Sequence, residues 1–206
     1  MISVKSNIDQ VVKGLSKVQR KQVPFATSVA LNDTAFGLQK EIKRQMPKKL
    51  DRPTPWTISG VQVKKSTKKK LVAVVYMAGA DGLPKQNADR NKYMKYQVNG
   101  GTRTPKKSKI PVPYTKNMRL NKYGNMPRNK IKSLVAKPDV FVGNVKGVEG
   151  IWQRTRNSGI KLMVGFEDTA TYRGRFPFNR IGEGFSLNKF TPNFTRALTR
   201  ALATAR

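Results

Sequence analysis

The sequence contains neither cysteine nor histidine. Without cysteine, a chain has no disulfide, no thiolate metal site and no cysteine nucleophile. Without histidine, it has no imidazole base for a Ser-His pair and no imidazole metal ligand. Because the commonest catalytic and metal-binding side chains are missing, we expect a non-enzymatic protein with no catalytic residue, no metal site and no cofactor.

Acidic side chains are also scarce, since 11 Asp and Glu stand against 42 Lys and Arg, for a formal charge of +31. A charge of this size opposes a compact lone monomer and favours an anionic partner or a dense assembly. Glu167 and Asp168 form the one adjacent acidic pair, and neighbouring side chains of a strand point to opposite faces. The pair therefore predicts a turn, or ion pairs with Arg173 and Arg175, rather than a metal site.

Long apolar runs are missing too. The first residues, "MISVKSNIDQVVKG", lack the continuous apolar segment of a signal peptide. No apolar run approaches the roughly 20 residues that a membrane-spanning helix needs. With 37% apolar residues, the chain favours a modest core. We expect one soluble, intracellular domain over residues 1–206 that does not use a membrane.

Apolar residues recur at helical spacing in two stretches near the start, residues 6–21 and residues 24–46. Pro24 suits the first turn of the second helix, and Pro47 ends it. The face of the second helix that should be buried carries Ala26, Ala30, Leu31, Thr34, Leu38, Ile42 and Met46. The stretch predicts an N-terminal helix pair.

Two β signals follow, at residues 60–66 and 70–78, with a hairpin turn at "STKK" between them. The order helix, helix, hairpin predicts an α+β fold with helices on one face of a mostly antiparallel sheet. Residues 81–137 differ, because they hold 15 basic residues and only two acids with little periodicity. We interpret them as a long basic arm or insertion.

Regular patterns return near residue 139. Three strands separated by turns are predicted at 139–145, 150–156 and 159–167. Residues 169–190 are predicted to be irregular, with aromatic side chains at the sheet edge. A last helix is predicted from Thr191, with Pro192 at its first position. Its apolar stripe would carry Phe194, Leu198, Ala201 and Leu202.

The stretch "KKLDRPTPWT" (residues 48–57) connects the helices to the hairpin. Because residues before proline disfavour helix, Pro53 and Pro55 should hold Arg52 and Thr54 extended. Trp56 would then pack at this junction. We interpret the stretch as an assembly joint rather than a catalytic loop or a nucleic-acid clamp.

Two basic clusters are candidate contact sites for a partner or a nucleic acid. Their residues are Lys64, Lys65, Lys68, Lys69 and Lys70 in the hairpin, and Arg103, Lys106, Lys107 and Lys109 in the arm. Lysines near Tyr93 and Tyr96 could grip phosphates and stack on bases. A solvated surface is the plainer interpretation of each cluster alone. Trp56, Trp152, Tyr93 and Tyr96 are the candidate interface or core anchors.

Several stretches together resemble a known group of proteins. They are "QVPFATSVALNDTAFGLQKEI" (22–42), "DRPTPWTISGVQVKKSTKKKLVAVVYM" (51–77), "VFVGNVKGVEGIWQR" (140–154) and "FTPNFTRALTRALATAR" (190–206). Their layout resembles tailed-bacteriophage virion proteins of the minor tail protein Z-like, or tail-completion and neck, group. The resemblance covers roughly residues 8–80 and 138–206, and residues 81–137 match least well.

The resemblance implies a structural role and gives no catalytic residue to transfer. Such subunits form a homo-oligomeric ring at the head-tail junction or tail, after assembly in the host cytoplasm. They contact portal, adaptor, tail tube or nozzle proteins, and the basic face would meet acidic protein or channel DNA. The alternative is a non-specific nucleic-acid-binding protein, packaging- or ribosome-associated. A carboxylate-dependent nuclease using Glu167 and Asp168 ranks third.

Overall fold

The chain folds as two compact units. The computed structural model describes residues 2–3, 17–83, 90–105 and 108–204. Unit 1 comprises Met1–Val98 and Arg175–Arg206, and unit 2 comprises Asn99–Gly174. The sequence predicts a single domain with an insertion over 81–137, whereas the inserted unit has different bounds and is itself compact.

The fold class is α+β, as predicted. The helices are α1 (Lys17–Lys49), α2 (Pro55–Ser59), α3 (Asn91–Asn99), α4 (Lys130–Val135) and α5 (Phe178–Ala203). The strands are β1 (Ile2–Ser3), β2 (Val61–Lys64), β3 (Val74–Met77), β4 (Gly101–Arg103), β5 (Ile110–Pro113), β6 (Val140–Val145), β7 (Val148–Arg154), β8 (Ile160–Glu167) and β9 (Ala170–Tyr172). Within the described residues, no helix is long and apolar enough to cross a membrane.

Helix α1 is one continuous helix, so the predicted break before Pro24 is wrong. The part of the first predicted helix before residue 17 lies outside the described residues. Proline removes one N–H donor, but every predicted core residue of this helix is at most 2% exposed, and this burial keeps the helix continuous. The helix ends two residues beyond Pro47, so this proline lies in its last turn and interrupts little of the helix.

The sheet of unit 1 has the strand order β1-β3-β2, and both pairings are antiparallel. Val61 pairs with Met77 and Lys64 with Val74, so the predicted hairpin is confirmed. Its connection is longer than predicted, although Thr67 and Lys70 exchange backbone hydrogen bonds at the predicted turn. All four residues of β3 are buried because the strand is central and lies against the helical layer.

The core of unit 1 joins helices and sheet. Its buried side chains include Leu31, Leu38, Ile42 and Met46 of α1, Val61, Val75 and Met77 of the sheet, Met94 of α3, and Phe176 and Phe178. These residues come from both ends of the chain, so unit 1 closes only when the segment after residue 174 packs against the first part.

Helix α5 begins at Phe178, thirteen residues before the predicted start at Thr191, and Pro192 lies inside it. The predicted irregular stretch therefore contains β9 and half of a helix. A proline inside a helix costs about 3 kcal/mol. Burial of an apolar side chain contributes about 1.5–3 kcal/mol, and Phe178, Ile181 and Phe185 all pack on the core. Their burial offsets the proline.

Unit 2 is built on a four-stranded antiparallel sheet in the order β5-β8-β7-β6. The three strands predicted between residues 139 and 167 are β6, β7 and β8. The register places Phe141 opposite Trp152 and Trp152 opposite Leu162. The core beside this sheet contains Met118, Leu134, Val140, Ile151, Met163 and Val164. Strands β4 and β9 form a separate pair next to the unit boundaries.

The chain leaves unit 1 after Val98 and re-enters it at Arg175, and these two points are neighbours in space. The backbone N–H groups of Arg175 and Phe176 donate to the carbonyl oxygen of Gln97, at 2.8 and 2.9 Å. These two hydrogen bonds fix the exit and the return side by side. Unit 2 is therefore an insertion that unit 1 tolerates without separating its own parts.

Candidate interaction site

The lysine loop, residues 65–70, is docked on helix α1 through Ser66. Ser66 is only 5% exposed. Its hydroxyl lies 3.0 Å from the hydroxyl of Ser28, and its N–H donates to Asn32 Oδ1 at 2.8 Å. Asn32 Nδ2 donates back to the Ser66 carbonyl at 3.3 Å. A buried serine, hydrogen-bonded to Ser28 and Asn32, thus holds a loop that is otherwise cationic and exposed.

The docked loop places two lysines over two exposed phenylalanines of α1. Lys65 Nζ lies 5.6 Å from the ring centroid of Phe36, and Lys68 Nζ lies 4.9 Å from that of Phe25. The rings are 37% and 40% exposed. Cation–π contacts at exposed sites contribute about 0.5–1 kcal/mol each. The arrangement is a surface on which aromatic and cationic groups alternate.

The structure brings the first predicted basic cluster together. Lys64 closes β2, and Lys65, Lys68, Lys69 and Lys70 follow in the loop, with all five side chains exposed. Their density gives a strong positive field that would attract an anionic surface.

A groove of about 750 Å³ lies between helices α1 and α5. Its apolar lining comes from Phe25, Val29, Phe36, Phe185, Ala197 and Ala201. Its cationic lining comes from Lys40, Lys189, Arg196 and Arg200, and its one acidic residue is Asp33. Both helices belong to unit 1, so the groove is formed within one compact body.

Close contact between the helices shapes one side of the groove. A Cβ atom at Gly37 would lie 2.9 Å from the Phe185 ring, so glycine permits the approach. Asn193 Nδ2 donates to Thr34 Oγ1 at 2.9 Å, and Arg196 donates to Asn193 Oδ1. This chain of hydrogen bonds ties α5 to α1 and orients Arg196 beside the groove.

Trp56 is a surface residue of α2, 47% exposed, rather than a core residue. Its ring stacks on Tyr93 at 5.8 Å between centroids, and the Arg90 guanidinium lies 4.6 Å from its centroid. Burial raises the pKa of Tyr93. The predicted anchors Trp56 and Tyr93 thus form one cluster with Arg90, a residue that the sequence analysis did not single out.

The backbone before Trp56 matches the prediction only in part. Thr54 is extended, and its hydroxyl caps α2 by accepting from Thr57 N at 3.1 Å. Pro55 is the first residue of α2. Arg52 instead has a φ of 43°, so the prediction that it is extended is wrong. Arg52 forms an ion pair with the adjacent Asp51 at 2.8 Å, which accompanies this turn.

The second predicted basic cluster is not assembled in the same way. Arg103 is exposed on β4 of unit 2, and Lys106 and Lys107 lie outside the described residues. Lys109 Nζ contacts Glu149 at 2.7 Å and Asp168 at 3.3 Å, and these carboxylates raise the pKa of Lys109. Asp168 thus pairs with Lys109 instead of Arg173 or Arg175. The positive charge of Lys109 is therefore compensated by two carboxylates of its own unit.

The remaining predicted anchors differ in setting. Trp152 is half-buried in mid-strand β7, and its indole Nε1 is buried without a hydrogen-bond partner among the described residues. Tyr96 is half-buried on α3, with Lys95 Nζ 5.1 Å from its ring centroid. Among the described residues, no three acidic side chains gather in a group that could hold a metal.

The sequence analysis missed the exposed phenylalanines, the Ser66 anchor and the α5 side of the groove. One signal was available, because Phe25 and Phe36 fall off the apolar face of their helix and at a common helical angle. The α5 side could not be found, since residues 178–190 were predicted to be irregular.

No protein-family model, no curated protein and no solved structure matches this chain.

Proposed function

We propose that this protein is a non-enzymatic structural subunit of a tailed-phage virion that assembles as a ring in the neck or tail. The observation that carries the proposal is the docked lysine loop, in which buried Ser66 presents Lys65 and Lys68 beside exposed Phe36 and Phe25. Aromatic residues are enriched at the centres of protein interfaces, and a dense group of exposed lysines attracts an anionic partner surface. The sequence resemblance supplies the class of assembly.

The charge supports the choice of neighbours. Subunits of charge +31 repel one another, so a ring needs apolar contacts between copies and anionic surfaces around it. Acidic portal, adaptor, tail tube or nozzle proteins meet this need. Electrostatic complementarity would then speed docking and fix orientation more than it adds affinity.

Three measurements test the proposal. Quantitative mass spectrometry of purified virions is expected to find a fixed copy number of this protein per particle, and antibody labelling should mark one end of the tail or the neck. Recovery only from the particle-free host cytoplasm would refute the virion role. Negative-stain electron microscopy of the purified protein at rising concentration is expected to show rings.

A second candidate function is non-specific nucleic-acid binding, which the Trp56–Arg90–Tyr93 cluster favours. An exposed tryptophan backed by a guanidinium suits stacking on a base, which contributes about 1–3 kcal/mol. Fluorescence anisotropy with a 20-nucleotide oligo-dT at increasing salt separates the two functions. The structural proposal predicts weak binding at physiological salt that Trp56→Ala leaves within twofold, whereas a loss of tenfold or more supports the alternative.

A further inference from the structure

We propose that the α1–α5 groove is the docking site for an acidic amphipathic helix of another protein. The groove shares Phe25 and Phe36 with the lysine loop, whose Lys68 and Lys65 lie over these rings. None of its lining residues belongs to the Trp56 cluster. The inference deepens the proposed function and rests on it for the biological neighbour, while the chemistry of the ligand is argued from the groove.

The apolar part of the groove points away from the core. Phe25, Val29 and Phe36 lie four and seven residues apart, on one face of α1. The core residues Leu31 and Ile42 lie on another face, and each is at most 1% exposed. A helix with two apolar faces needs a second contact to cover the outer one. Phe185 and Ala197 continue this apolar surface onto α5.

The polar lining selects an acidic ligand. Lys40, Lys189, Arg196 and Arg200 stand against the single carboxylate of Asp33, so the lining carries a net charge of +3 (four cations minus one anion). An apolar ligand with carboxylates along its edges would match both parts of the lining. Complementary charges along a groove fix the register of a bound helix.

The dimensions suit a helix. The α1 lining spans residues 25–40, which is 15 steps along the helix. At about 1.5 Å per residue these steps cover about 22 Å, the length of a ligand helix of about 15 residues. Recognition in such grooves uses apolar anchors at i, i+3 or i+4 and i+7.

Two other occupants fit less well. A second copy of the chain would have to offer an acidic helix, but α1 contains two acidic residues and α5 contains one. A nucleic acid would have to stack on the groove phenylalanines, but Lys68 and Lys65 already cover one face of each ring. Both arguments favour an acidic segment of a different protein as the occupant of the groove.

The test uses a designed 15-residue peptide with leucines on one helical face and glutamates on the other. A scrambled peptide of the same composition is the control for charge alone. Binding of each fluorescent peptide to the full chain is measured at 150 mM NaCl. We expect the amphipathic peptide to bind at least tenfold more tightly than the scrambled one. Only the amphipathic peptide places its leucines against the apolar lining and its glutamates against the cationic lining at the same time.

Paired charge reversals locate the site. Arg196→Glu with Arg200→Glu should weaken amphipathic-peptide binding at least tenfold. Lys116→Glu with Arg119→Glu makes the same change of charge at exposed positions of unit 2 and should leave binding within twofold. Circular dichroism checks that both variants fold. Arg196→Glu also removes the hydrogen bond from Arg196 to Asn193. A second variant, Val29→Asn, leaves this bond in place and should weaken binding about fivefold.

Three results would overturn the inference. They are equal binding of the two peptides, equal losses in the two charge-reversal variants, and displacement of the peptide by equimolar 20-nucleotide oligo-dT. The last result would assign the groove to nucleic acid. If the peptide fails while the protein is still found in virions, only the groove inference falls. If the peptide binds but virions lack the protein, the proposed function falls instead.

Discussion

Gly60 is a residue whose identity is set by space rather than by backbone conformation. It follows α2 with φ −67° and ψ −16°, which any residue can adopt. A Cβ atom there would lie 2.4 Å from Arg90 Cδ, 2.6 Å from Met77 Sδ and 3.0 Å from the Thr57 carbonyl oxygen. The glycine therefore allows the Trp56 cluster to sit directly on the end of β3.

We predict that Gly60→Ala lowers the free energy of unfolding by about 1–3 kcal/mol, because an added methyl group overpacks a filled site. The matched control is Gly184→Ala in α5, where a Cβ atom has no neighbour within 4 Å. This control should raise the free energy of unfolding by about 0.5–1 kcal/mol through helix propensity. Urea denaturation measures both, and a stabilising Gly60→Ala would contradict the packing.

Glu41 shows how local partners tune a surface carboxylate. The Arg44 guanidinium donates to it at 2.7 and 2.8 Å, and Gln45 donates at 2.8 Å. These hydrogen bonds, led by that of Arg44, lower the pKa of Glu41 from 4.5 to about 2. A lowered folded-state pKa stabilises the fold above the unfolded pKa, and this stabilisation is lost as pH falls through the folded one.

We predict that Glu41→Gln lowers the free energy of unfolding by about 0.5 kcal/mol at pH 7, the usual size for exposed helix pairs. The difference from the unsubstituted chain should shrink between pH 4.5 and about 2, the two pKa values of Glu41. Urea titrations at pH 7, 4 and 2.5 measure it. Glu183→Gln, on the exposed surface of α5, is the control for removing one negative charge. A difference in the free energy of unfolding that stays constant at all three pH values would contradict the lowered pKa of Glu41.

Among the elements, the lysine loop depends on one anchor to keep its shape. Ser66 bonds to Ser28 and Asn32, residues 38 and 34 positions earlier in the chain. Repulsion among the closely spaced lysines opposes the compact conformation of this loop. The anchor thus converts a flexible cationic hairpin end into a fixed surface.

We predict that Ser66→Ala lowers the free energy of unfolding by about 1–2 kcal/mol, because it leaves buried partners without their hydrogen bond. Amide hydrogen exchange of residues 65–70 should accelerate at least tenfold, since the loop opens locally. Ser133→Ala removes an exposed hydroxyl that bonds to Lys130, and it should leave exchange of the loop unchanged. Unaltered loop exchange in Ser66→Ala would show that the anchor is unnecessary.

Helix α5 retains a proline because its surroundings compensate for it. Pro192 cannot donate to the carbonyl of Asn188, and its ring crowds the preceding turn. The helix nevertheless continues to Ala203, where buried Ala201 packs. The proline therefore costs stability that a different residue would restore.

We predict that Pro192→Ala raises the free energy of unfolding by about 1–3 kcal/mol, less than the full helix-interior cost if the helix has already adapted. Pro47→Ala is the matched control, because only two residues of α1 follow Pro47, whereas eleven residues of α5 follow Pro192. Its effect should be below about 1 kcal/mol. Guanidinium denaturation measures the free energy of unfolding of both variants. A larger gain for Pro47→Ala than for Pro192→Ala would contradict the proposed cost of Pro192.

At the scale of the whole molecule, one compact unit is inserted into another. The Gln97 carbonyl accepts from both Arg175 and Phe176, so the insertion leaves and returns at neighbouring points. Each unit has its own hydrophobic core. Such an insertion requires little of its host beyond keeping two chain ends together.

We predict that replacing residues 99–174 with a short Gly-Ser linker leaves unit 1 folded, with a cooperative thermal transition and helical circular dichroism. Closing the gap with a short linker costs little entropy. The isolated segment 99–174 should show β-sheet circular dichroism and its own transition. Loss of cooperative unfolding in the linked unit 1 would show that the units fold only together.

The sequence by itself determined the elements whose residues follow one period. The apolar face of α1 and the strands β6, β7 and β8 were predicted because burial at spacings of 3.6 or 2 leaves a regular mark. The exposure of the five lysines between residues 64 and 70 followed from the cost of burying charge. The α+β class followed from the order of these elements.

Tertiary structure alone decided the features that join distant residues. The start of α5 and the passage of helices through Pro24 and Pro192 depend on burial against the core, which outweighs a local helix-breaking preference. The docking of Ser66 and the bond from Asn193 to Thr34 span 38 and 159 residues. No local pattern encodes these pairs, because each side chain gains its partner only when the chain has folded, and the groove between α1 and α5 exists for the same reason.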